Sequence, residues 1–74
     1  SEKKEKFGFT VACVNEFANK HNLSAKEAFQ YLFQFKGIAF IKENYDVEHT
    51  LDFETILEDL EILCKKNGGT LLTK

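Results

Sequence analysis

The sequence predicts an all-α fold, a single small bundle of three to four helices, and three observations carry that prediction. The chain has no proline, the residue that breaks helices most strongly. Its apolar residues recur mainly at intervals of three and four, the spacing of one face of a helix. Ser24, Ala25, Lys26 and Glu27 form a capping box, in which the serine oxygen takes a backbone N–H and the glutamate reaches back to the cap. Since 74 residues can bury only one core, residues 1–74 read as one helical domain, with 1–4 and 70–74 as frayed ends.

The first helix is expected over about residues 5–20, where Phe7, Val11, Val14 and Ala18 draw one stripe. Phe17 flanks that stripe while Phe9, Ala12 and Cys13 lie off it, so more than one face is apolar. The capping box starts a second helix over about 25–36, with Ala25, Ala28, Phe29 and Leu32 facing inward and Gly37 as its left-handed stop. A short third helix is expected at 38–44, where Ile38 and Ile41 can pack down. The last, over about 51–66, follows a cap at Thr50 or Asp52 and lines up Phe53, Ile56, Leu57, Leu60, Leu63 and Cys64. Acids begin this helix and Lys65 and Lys66 end it, the order the helix dipole favours. Asn67, Gly68 and Gly69 stop it, leaving a frayed tail or an extended segment that docks Leu71 and Leu72.

Composition narrows the function. A net charge of -2 and the absence of arginine disfavour nucleic acid as a partner, and only Lys26 is a cation on the exposed face of the second helix, so DNA binding ranks third among the readings. No apolar run reaches the roughly 20 residues of a membrane span and none reads as a signal peptide, so a soluble, cytoplasmic protein is expected. With no methionine, Ser1 reads as following a removed initiator or as the edge of a trimmed chain. In a reducing compartment Cys13 and Cys64 read as unpaired, buried thiols.

The densest chemistry lies at Tyr45, Asp46, Val47, Glu48, His49 and Thr50, between two helical patterns. His49 beside Thr50 could move protons, and a small enzyme or ligand-binding domain centred on His49 is the alternative reading. A junction His and Thr more often tie a loop to backbone, so Tyr45, His49, Thr50 and Asp59 read as a structural or binding corner, with no catalytic residue assigned. Cys13, His21, His49 and Cys64 lack the close pairs of a zinc motif, and neither a metal nor another cofactor is expected. Eight phenylalanines exceed what one small core hides easily, so Phe9, Phe33, Phe35, Phe40 and Ile62 form the candidate partner surface.

At Tyr45, Asp46, His49, Thr50 and Asp59, preceded by a capped helix with Ala28 and Leu32 and then Gly37, the chain resembles a family of short bacterial proteins known as a domain of unknown function. The resemblance covers most of the chain, with Leu60 where the pattern leads one to expect isoleucine. Members are often encoded beside an ADP-ribosyltransferase-like family, which implies a regulatory or antitoxin-like partner. The combined expectation is a non-enzymatic protein–protein interaction module. It would self-associate, a homodimer being favoured, or bind another bacterial protein.

Overall fold

The computed structural model describes residues 1–71 and contains five helices among them: α1 (Glu2–His21), α2 (Ala25–Gln34), α3 (Gly37–Glu43), α4 (Tyr45–Glu48) and α5 (Phe53–Lys66). The expected all-α bundle is present, but the count of three to four is corrected to five. The addition is α4, a single turn at Tyr45–Glu48 that the sequence reads as a junction. Four residues are too few to display a 3.6-residue period, so no stripe announces it. The expectation that Leu72 docks lies outside the described residues.

Helix α1 is capped at its start by Ser1, whose Oγ accepts the Lys4 N–H at 3.4 Å, and at its end by Asn22 in the left-handed conformation (φ 56°). Its buried face is Thr10, Cys13, Val14, Phe17 and Ala18. The stripe read from sequence is therefore rotated: Val14 and Ala18 are inside, while Phe7 and Val11 are exposed. Burying Phe17 and Cys13 completely carries Thr10 inward with them. The threonine tolerates this because its hydroxyl donates to the Lys6 carbonyl at 2.8 Å and stays satisfied within its own helix.

The capping box of α2 is formed as read, with Glu27 N–H to Ser24 Oγ at 3.1 Å and Ser24 N–H to the Glu27 carboxylate at 2.9 Å. Gly37 has a different task from the stop assigned to it. Lys36 takes the left-handed conformation (φ 71°), and Gly37 opens α3 where a Cβ would lie 2.8 Å from Leu32 Cδ2 and 3.2 Å from Cys64 Sγ. The missing side chain is what lets α3 close onto α2 and α5. Asp52 caps α5 by accepting the Thr55 N–H at 2.9 Å.

Helix α1 packs against α2, α3 and α5, and α3 bridges α2 and α5. Phe17, Leu32, Ile41, Ile56, Leu60, Cys13 and Cys64 are fully buried where they meet. Both cysteines are free thiols. No described helix is long and apolar enough to cross a membrane.

Candidate functional site

The rotation of α1 leaves Phe7 and Val11 facing outward beside Phe29 and Phe33 of α2, and between them runs an apolar groove of about 810 Å³. Phe7 is 71% exposed and Phe33 68%. Each pair is spaced four residues apart, so each helix contributes one ridge. The rings of Phe29 and Phe33 are stacked with centroids 5.9 Å apart. Val14 and Ile38, both buried, also line the groove, and the charged side chains lining it are Lys3, Lys6 and Lys42. A contiguous apolar concavity left this accessible is unusual in so small a chain.

Of the residues assigned to a partner surface from sequence, Phe33 alone lines this groove. Ile62 is 68% exposed on α5. Phe9, Phe35 and Phe40 are half-buried against the core, Phe9 meeting the Tyr45 ring edge-on at 5.5 Å and Phe35 packing on Tyr31 at 5.0 Å. The groove residues Phe7, Val11 and Phe29 read as core from sequence because their stripe is regular. What could have exposed them is the larger neighbour Phe17, which competes with Val11 for the same interior.

The corner at α4 is tied mostly to its own backbone. His49 and Tyr45 stack with ring centroids 4.4 Å apart and planes at 10°, and the Tyr45 carbonyl lies 2.7 Å from His49 Nδ1, so that nitrogen donates. Thr50 Oγ1 donates to the Val47 carbonyl at 2.7 Å. Asp59 of α5 joins the corner through Glu48, the residue before His49. Glu48 is only 4% exposed, and its Oε1 has no hydrogen-bond partner among the described residues. Burial first, then the hydrogen bond and charge of Asp59, pushes the Glu48 carboxyl up to about 7. From sequence Glu48 stands in the Tyr45–Thr50 stretch but outside the corner set, since nothing local distinguishes it from a solvated acid.

The thiols are held protonated. Burial, followed by the charges of Glu48 and Glu16, pushes Cys13 up to about 12, and burial pushes Cys64 up to about 11 despite a hydrogen bond from the Gly37 backbone. Elsewhere, Glu61 of α5 receives Lys20 Nζ at 2.8 Å and His21 Nε2 at 2.7 Å, clamping the end of α1. Burial would raise the Glu61 carboxyl, but hydrogen bonds from Lys20 and His21 outweigh it and hold it below the usual range. Among the described residues no three His, Cys, Asp or Glu side chains gather as metal ligands would.

No curated protein and no solved structure matches the chain. A family model does: the family described as a protein of unknown function, DUF3791, matches residues 8–67. That span takes in most of α1, the whole of α2 to α5, the α2 wall of the groove and the Tyr45–Thr50 corner, while Lys3, Lys6 and Phe7 of the α1 wall precede it. The match bears out the resemblance read from the corner residues, and the chain belongs to the DUF3791 family.

Proposed function

We propose that this protein is a non-enzymatic interaction module that docks a second chain in the groove between α1 and α2. The observation that carries this is the exposure of Phe7, Val11, Phe29 and Phe33 around one concavity, where apolar surface is left in water although the core is otherwise closed. The corner supports the same reading. His49 spends a ring nitrogen on a backbone carbonyl and its face on Tyr45, a positioning role that holds α4 against α1 through Phe9.

The covering chain is either a copy of this one, as a homodimer, or a different protein. The family's association with ADP-ribosyltransferase-like neighbours makes a regulatory or antitoxin-like role toward such a neighbour the specific form of the second case. Size-exclusion chromatography with light scattering, run with and without an apolar fluorescent dye, tests the docking surface. Dimers, or dye binding that is lost in the Phe7→Ser/Phe33→Ser variant, are expected. A chain that stays monomeric at high concentration and binds no dye overturns the proposal.

A further inference from the structure

We infer that the groove seats an amphipathic helix of another protein, about two to three turns long, whose apolar stripe is flanked by aspartate or glutamate. This rests on the groove being a docking surface, and it names the occupant. Phe7 and Val11 on α1, and Phe29 and Phe33 on α2, give two ridges of four-residue spacing with a furrow between them. Ridges of that spacing accept the side chains of a third helix laid into the furrow. Phe7 and Val14 are seven residues apart, so the α1 wall runs about 10 Å, the length two turns of a docked helix cover.

Charge decides between occupants. The groove is lined by Lys3, Lys6 and Lys42 and by no acid, although the chain as a whole carries a net charge of -2. Lys6 is paired with Glu2 at 3.2 Å, whereas Lys3 and Lys42 form no ion pair among the described residues. An acid-flanked helix meets these cations at the rim while its apolar stripe fills the furrow. The same lysines oppose a two-fold dimer made groove to groove, because the cations of both copies would converge.

The test uses two stapled helical peptides that share one leucine stripe at i, i+4 and i+7 but carry either Glu or Lys on the flanks. Each is titrated into the isotope-labelled full chain and followed by amide shifts. The acidic peptide is expected to shift Phe7, Val11, Phe29 and Phe33 and to bind about tenfold more tightly than the basic one. The Lys3→Glu/Lys42→Glu variant is expected to reverse that order. Equal affinities, or shifts confined to other faces, overturn the inference. Dimers that dissolve in Phe33→Ser while neither peptide binds also overturn it, although docking itself then stands. Oleate shifting these amides when neither peptide does assigns the groove to a small amphiphile and overturns it as well. If peptides, oleate, dye and copies all leave the groove empty, the inference and the docking reading fall together.

Discussion

Glu48 of α4, almost wholly buried, has the carboxyl group of Asp59 on α5 as its electrostatic neighbour, so two acids act on each other where a protein would ordinarily place an acid and a base. Burial, the Asp59 hydrogen bond and the Asp59 charge all favour the protonated form of Glu48. The fold holds one proton in this pair more tightly than the unfolded chain does.

Glu48 is raised from 4.5 to about 7, so between those values the folded chain binds more protons than the unfolded one. Stability is therefore highest in this respect below the unfolded value and is lost as pH rises toward 7. Glu48→Gln keeps the shape and a donor for Asp59 without the charge. It is expected to stabilise the protein at pH 8 by up to about 3 kcal/mol and to leave it nearly unchanged at about pH 4. Urea unfolding at the two pH values measures this, and an equal loss at both would contradict it.

Glu61 runs the other way. Its carboxyl is held below the usual range once the Lys20 and His21 hydrogen bonds outweigh its burial, so the stability it supplies is present at neutral pH and lost as pH falls through its folded value. Because Lys20 is substantially exposed, the contribution is modest. Glu61→Gln is expected to destabilise the protein by roughly 1 kcal/mol at pH 7 and by less at acid pH, read from the same unfolding curves.

Gly37→Ala sets helix propensity against packing. Alanine would favour α3 by at most about 1 kcal/mol, but its Cβ would sit 2.8 Å from Leu32 Cδ2 and 3.2 Å from Cys64 Sγ. Leu32 and Cys64 are fully buried and have little room to move. A net loss of about 1–3 kcal/mol is expected in chemical denaturation.

His49→Ala separates a positioning histidine from a reactive one. It removes a 2.7 Å hydrogen bond and a stacked ring, and a loss of about 1 kcal/mol is expected, seen as a fall of roughly 4–8 °C in Tm. An unchanged Tm would contradict the positioning role.

What the sequence made legible was local. The capping box at Ser24 stood out because it is settled by residues three apart, whereas the cap of α5 was narrowed only to Thr50 or Asp52, of which Asp52 serves. The α1 rotation was hidden because two neighbouring stripes compete there, and the one with Phe17 is buried, Thr10 following inward with its hydroxyl satisfied. Gly37 looked like a stop because its close neighbours, Leu32 and Cys64, meet it only in the folded chain. Glu48 was hidden for the same reason, its partner lying on α5. The excess of aromatic surface was visible in composition. Which rings form the groove was not, because its two walls come from α1 and α2 and depend on how each helix is turned.

If the groove is a docking site, Phe7 and Phe33 serve a partner more than they serve the fold, and removing both rings at once separates the two roles. Thermal unfolding and apolar-dye binding are measured side by side for the parent chain and for Phe7→Ser/Phe33→Ser. The prediction is a stability within about 1 kcal/mol of the parent together with loss of dye binding. A variant that unfolds more than about 15 °C earlier yet still binds dye would show that these rings belong to the core and that the groove is no docking site.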